Sequence, residues 1–518
     1  MGTKGTVAAG HQITAQAAIA ILDEGGNAFD AALAALFASC VAEPVLASLG
    51  GGGFLLARTS DNPPILYDFF TQTPLHKSPE TAVDFYPILA DFGTAQQEFH
   101  IGLGSIATPG VIKGLFSVHR DLCRLPLNII IQPACQAARQ GVTINDFQHY
   151  ISNIVSPIIK SSPDALMLHA SEQNPGDIAT AGEVVYHQEM ADAFEALARE
   201  DERLFYLGEM GHRLIRTCRQ QGGYLRKEDL AKYEVVQRKP LELAYRGSRL
   251  FTNPPPSVGG TLIAFTLALI EPERLSRFPA GSFEHLVRIA QAQKVTQQLR
   301  QEQGVDRDLD EPACQEILSS RFLIYYRNIL KRHQSFTRGT TQISIADKEG
   351  NFASMTLSNG EGSGYVIPGT GIVLNNMLGE EDINPHGFHQ WPENRRIASM
   401  MSPTLVFSNK GQIIATGSGG SNRIRSAILQ VLINLLDYEM DIDQAVEQER
   451  LHYESGVLNV EYCLAPTEIE LLEKAFAKYR LWPEKNLFFG GAHSVMANAR
   501  GTLSGKGDSR RGGVCSTI

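Results

Sequence analysis

The sequence predicts an α+β protein, on three observations. Helical periodicity fills residues 14 to 42, a largely helical stretch runs from about residue 110 to 335, and near residue 340 the pattern switches to strand-like hairpins. The chain has 518 residues, 43% of them hydrophobic and 20% charged, a composition that supports a large buried core rather than disorder.

Each element has its own signal. A helix from Thr14 to Glu24 stops at Gly25-Gly26, and Asn27 caps a second helix, with Asp30 three residues on, that reaches Ala42 before Pro44. Four glycines, Gly50 to Gly53, then lead into the apolar strand Phe54 to Ala57. A phosphate-binding loop needs a strand before its glycines and a helix after them; here the order is reversed, which favours close backbone approach between layers or a pocket wall. Asn253 to Gly260, with its three prolines, reads as an extended turn before another helix. Thr341 to Ala346 and Phe352 to Ser358 flank Asp347-Lys348-Glu349-Gly350-Asn351 as a hairpin. A short strand from Gly371 to Asn375 follows, then a second hairpin, Thr404 to Phe407 with Gln412 to Thr416. Gly417-Ser418-Gly419-Gly420-Ser421-Asn422 opens a helix whose apolar positions are Ile424, Ile428, Val431, Leu432 and Leu435. Backbone N–H groups at such a helix start suit a carboxylate or a developing oxyanion.

Composition excludes several function classes. The 46 basic and 56 acidic side chains give a net charge of −10 with no long run of either sign, which disfavours nucleic acid as a partner. Arg395-Arg396 and Arg510-Arg511 are short basic stretches with a structural, surface or local anion-binding role. The seven cysteines are scattered singly, without a zinc-site spacing, and fit a reducing compartment; no metal or other cofactor is expected. His386 and His389 form an HxxH, but Pro385 and Gly387 place it in a loop, and His493 reads as a packed histidine. Residues 1 to 20 lack the pattern of a secretory leader and no stretch has the length of a membrane span, so the reading is a cytoplasmic protein, or a periplasmic or secreted one if a leader has been removed.

The chemistry begins with Gly339-Thr340-Thr341 at the helix-to-strand junction. A threonine hydroxyl is a weak nucleophile, and a free α-amine on the same residue supplies its base, which requires a cut before that threonine. Gly339 is able to adopt the distorted backbone that lets the Thr340 hydroxyl attack its own preceding carbonyl. Threonine is also a common strand residue, so these three residues alone do not decide the matter.

The longer run from Thr340-Thr341-Gln342-Ile343-Ser344 through Asp347 to Gly350-Asn351 resembles the start of the small subunit of the γ-glutamyltranspeptidase family. Gly25 to Ala28, Glu43-Pro44, Gly50 to Phe54, Thr108-Pro109-Gly110, Pro254 to Gly260, Gly371 to Met377, Ser402-Pro403-Thr404 and Gly417 to Gly420 follow in family order. The resemblance implies a four-layer αββα sandwich of the N-terminal-nucleophile hydrolase type, built by one precursor cut into residues 1–339 and 340–518 that share one interleaved core. It implies Thr340 as nucleophile and base, Gly419 and Gly420 as the oxyanion hole, and Ser358 as a second hydroxyl steadying the nucleophile. The implied partners are a small amide or peptide substrate and the two cut segments with each other, with a homo-oligomer of the heterodimer left open and neither nucleic acid nor membrane involved.

The specificity residues depart from the family. Phe70, in Asp68-Phe69-Phe70-Thr71-Gln72-Thr73-Pro74, stands where the family carries an arginine for the glutamyl α-carboxylate. Of the paired serines on that carboxylate, Ser399 is kept and Met400 replaces the other; Glu380 keeps an acidic function toward the α-amine, and Gln342 replaces a histidine. Arg423 and Arg425 are either substitute cations or surface or subunit-contact residues. A phenyl ring does not replace a bidentate cation, so glutathione is in doubt as a substrate. The alternatives are a glutaryl- or cephalosporin-type acylase, a glycosylasparaginase-like enzyme, or an uncut, non-catalytic ligand-binding homologue.

Overall fold

The computed structural model describes residues 3–91, 96–329 and 340–518. Its centre is a pair of stacked antiparallel sheets. Residues before 330 supply β1 (Gly5–Ala9), β2 (Gly52–Arg58), β3 (Ile65–Phe69), β4 (Val236–Arg238), β5 (Leu241–Tyr245) and β6 (Ser248–Thr252). Residues from 340 on supply β7 (Thr341–Asp347), β8 (Phe352–Ser358), β9 (Thr404–Phe407), β10 (Ile413–Gly419), β11 (Gly491–Ala497), β12 (Leu503–Lys506) and β13 (Val514–Thr517). The seven-stranded sheet runs β13-β1-β7-β8-β2-β3-β4 and the six-stranded sheet β12-β11-β10-β9-β6-β5. Both sheets therefore mix strands from either side of residue 340.

Alternation along the strands divides the interior. Ile343 and Ile345 of β7 join a core with helices α1 (Gln12–Asp23) and α2 (Ala28–Ala42), which cover the outer face of the first sheet. Helices α3 (Val258–Ile270) and α4 (Arg423–Leu436) cover the outer face of the second sheet, giving the αββα order. Helix α2 is buried along its whole length, which its alanines permit by letting neighbouring backbones approach closely. Its start carries the capping box of Asn27 and Asp30, and the carboxylate of Asp347 accepts from the Ala28 N–H at 2.9 Å. The turn of the β7–β8 hairpin is thereby tied to the helix that covers it.

Several expected elements differ in the structure. The middle section is largely helical, as expected, and also contributes β4, β5 and β6. The strand expected over Gly371 to Asn375 is confined to Ile372–Val373. The turn at Asn253 is shorter than expected, since α3 already includes Gly259 and Gly260. Likewise β10 extends through Gly417 and Ser418 to Gly419, leaving only Gly420 to Asn422 as the turn before α4. The reason is pairing: Gly417, Ser418 and Gly419 lie in register with His493, Ala492 and Gly491 of β11.

Candidate active site

Thr340 heads β7, one of the central strands, whose seven residues are all buried. The antiparallel register that pairs Thr341 with Leu357 sets Thr340 opposite Ser358 at the end of β8. Both line one small cavity, together with Phe70, Glu380, Ser399 and Met400. Residues from distant parts of the chain that the sequence singled out are thus brought together. Gly339 lies outside the described residues.

Glycines let these segments converge. A Cβ on Gly51 would stand 2.4 Å from the Ser358 carbonyl oxygen, and one on Gly52 would stand 2.7 Å from the Thr71 nitrogen. The run from Gly50 to Gly53 is therefore a site of close backbone approach that sets Phe70 beside the β8 end. Gly419 is more constrained still: a Cβ there would lie 1.8 Å from the Thr340 carbonyl oxygen. The backbone of Gly419 thus packs directly against the nucleophile candidate, and Gly420, at φ +118°, starts the turn into α4. Gly419→Ala is expected to abolish activity and to destabilise the protein by about 1–3 kcal/mol, read by substrate turnover and thermal unfolding.

Two buried charged groups frame the first peptide of β7. Arg511 donates through Nη1 to the Thr340 carbonyl at 3.2 Å, and burial lowers its pKa to about 10. On the other side Thr341 donates through Oγ1 to the Glu43 carboxylate at 3.2 Å, and Thr14 donates to the second oxygen at 3.0 Å. Burial raises the Glu43 pKa to about 7 despite those two donors. Sequence reasoning gave neither contact. Glu43 was visible only as part of the Glu43-Pro44 motif, and Arg511 only as half of a short basic pair.

Behind Thr340, between the sheets, Gln342 is satisfied at both ends of its amide. Nε2 donates to the hydroxyls of Ser344 and Ser354 at 3.0 Å each, and Oε1 accepts from Thr356 at 2.6 Å. Those serines pass the bonding on to the carbonyls of His493 and Thr416 in the second sheet. Such a closed polar network fixes the spacing of the sheets at the Thr340 end.

The remaining positions sort by what holds them. Phe70 stacks on Phe54 with ring centroids 5.3 Å apart, and its carbonyl accepts from the Tyr233 hydroxyl at 2.7 Å and from Arg396. Ser399 is anchored through its carbonyl, which accepts from the Ser257 hydroxyl at 2.8 Å and the Val258 N–H at 2.9 Å at the start of α3. Glu380 follows the short helix Met377–Gly379, with its carbonyl accepting from Asn384 at 2.7 Å. Met377, Asp382, Ile383, Met401, Ser421 and Ile424 complete the cavity; Met377, Ser421 and Ile424 were visible in the sequence only as parts of a motif, a turn or a helix face, and none of the six was named as a site residue.

No lysine, arginine or histidine is among the described residues that line this cavity. Arg425 pairs with Glu454 at 3.4 Å and donates to Gln297 at 3.0 Å. Arg423 donates to the Phe488 carbonyl at 2.8 Å and lies over the Phe488 ring. Both are buried and neither lines the cavity, so they are not surface residues and not cations of this cavity, whereas the Arg425 contact with Gln297 joins the segments on either side of residue 340. His493 is packed as expected, accepting the Asp508 N–H at 3.1 Å, with burial lowering its pKa to about 4. His389 sits in a loop and is hydrogen-bonded to the Tyr224 hydroxyl.

The αββα sandwich with a threonine heading a central strand is the fold of the N-terminal-nucleophile hydrolase type. The chain belongs to the γ-glutamyltranspeptidase family, whose model, described as Gamma-glutamyltranspeptidase, matches residues 14–518. It is 28% identical to the glutathione hydrolase proenzyme of Escherichia coli strain K12 over 98% of this chain and 90% of that protein. It is equally 28% identical to the acylase ACY 1 proenzyme of Pseudomonas sp. strain V22, over 97% of this chain and 92% of the relative. The fold matches the crystal structure of cephalosporin acylase from Bacillus halodurans with a TM-score of 0.83 and 22% identity, covering 99% of this chain and 96% of that one. No helix among the described residues is long and apolar enough to cross a membrane.

Proposed function

We propose that the chain is a precursor that cuts itself before Thr340 and then hydrolyses or transfers the acyl group of an amide whose acyl part carries no carboxylate. The freed α-amine of Thr340 takes the proton from its own Oγ, which attacks the amide carbon. Charge developing on the carbonyl oxygen is met by the N–H groups of Gly419 and Gly420, the C–N bond breaks, and the amine leaves with the proton. Water or a second amine then takes the acyl group from Oγ. Ser358, opposite Thr340, orients the hydroxyl. Residues 1–339 and 340–518 remain together as subunits, a reading supported by the mixed strand order of both sheets.

One observation carries the acyl specificity: the cavity beside Thr340 is lined by Phe70, Met377, Met400 and Met401 where a carboxylate would need a cation. Glu380 and Asp382 leave the acyl end either uncharged or aminated. The two 28%-identical relatives, one a glutathione hydrolase and one an acylase, allow for either substrate class. The test is a panel of p-nitroanilides with butanoyl, 4-aminobutanoyl, glutaryl and γ-glutamyl acyl groups. The carboxylate-free pair is expected to react faster, and Phe70→Arg is expected to shift the ratio toward the carboxylate pair by about tenfold or more. An unchanged ratio would overturn the role given to Phe70.

A further inference from the structure

The cavity at Thr340 is small, about 30 Å³, whereas a second cavity beside it measures about 250 Å³. Ile383 is a wall of both, and consecutive residues continue from one to the other: Ile397 and Ala398 line the larger, Ser399 and Met400 the smaller. An amide held at Thr340 with its acyl end in the small cavity has to place its amine half elsewhere. The larger cavity is the adjoining space.

The chemistry of that space is anion-binding. Arg307 and Arg395 both line it, both are exposed, and neither forms an ion pair among the described residues. The carboxylates nearby are committed: Asp306 pairs with Arg300 at 2.8 Å, and Asp310 accepts the Ala313 N–H at 2.8 Å as a helix cap. Arg396 is occupied by Asp68 and the Phe70 carbonyl. The indole N–H of Trp391, on the same cavity, is buried and has no hydrogen-bond partner among the described residues. A buried donor of that kind costs stability unless an acceptor meets it.

We propose that this cavity is the leaving-group subsite, and that it takes an amine carrying a carboxylate, held by Arg307 and Arg395 with the amine body against Trp391. The proposal rests on Thr340 as the nucleophile and adds where, and with what charge, the departing half of the substrate sits. Two guanidinium groups lining one cavity match an amine that carries a carboxylate better than a neutral amine.

Two measurements test it. In the first, N-butanoyl-4-aminobenzoate and N-butanoylaniline are compared on the wild-type protein and on the Arg307→Gln/Arg395→Gln double variant. The variant is expected to lose about tenfold or more in kcat/KM on the aminobenzoate, through KM, with the anilide unchanged. Equal losses on both substrates, or none, would overturn the subsite. In the second, binding of 4-aminobenzoate and of aniline is measured by calorimetry on Thr340→Ala, with and without the two arginine changes. A weakening confined to 4-aminobenzoate supports the subsite without any turnover, and equal affinities refute it. Failure of the Thr340 reading shows separately, as anilide turnover absent from the wild type or retained by Thr340→Ala.

Discussion

Thr340→Ala is expected to give a folded, single-chain protein with amide turnover reduced by about ten-thousandfold or more. The expectation follows from what Thr340 supplies and what it does not. In the proposed mechanism its hydroxyl is the nucleophile and its α-amine the base, so without the hydroxyl neither the cut nor the acyl-enzyme is expected to form. Two contacts at the site are made by a backbone atom that alanine keeps: Arg511 reaches the Thr340 carbonyl, and Gly419 packs on the same oxygen. The unfolding temperature of the variant should therefore stay close to that of the uncut wild-type chain. Activity persisting in Thr340→Ala would remove the mechanism.

The second large effect is on stability. At the end of the chain, Asp508 accepts from Arg450 at 2.7 Å and from the Ala492 N–H at 2.8 Å, while Arg510 forks onto Glu461 with contacts of 2.6 to 3.0 Å. All four side chains are buried. Removing one member leaves a charge in the interior with nothing to balance it, so Asp508→Ala is expected to cost about 3–5 kcal/mol, read as a lower denaturant midpoint. The pH dependence has a definite sign. The arginines hold the Asp508 pKa at about 2 against an ordinary value of 3.8. Its stabilising effect is therefore complete above pH 3.8 and is lost as pH falls through about 2. In the Asp508→Ala protein that part of the acid dependence should vanish.

The same end of the chain shows why part of the site could not be read from the sequence. The hairpin at Thr340 was legible because its signals are local: apolar residues alternate on β7, Asp347 accepts from the Glu349 and Asn351 N–H groups, and Gly350 takes φ +82° in the turn. Arg511 reaches Thr340 across 171 residues, and no local pattern reports such a contact. Strand β1 was missed for another reason. Gly5, Thr6, Val7, Ala8 and Ala9 are small and buried on both faces, so they lack the alternation that marks a half-exposed strand. Strands β4 and β5 are short and lie at sheet edges, where flanking helices dominate the periodicity. The altered specificity positions were legible only through resemblance. Phe70 and Met400 line one cavity with Thr340.

The most direct test of the central claim is an intact-mass spectrum of the denatured wild-type protein after purification and incubation. The account predicts two chains that meet between Gly339 and Thr340, the smaller beginning at Thr340, and a single uncut mass for Thr340→Ala. A wild-type protein that stays in one piece, or one cut at another bond, would contradict it.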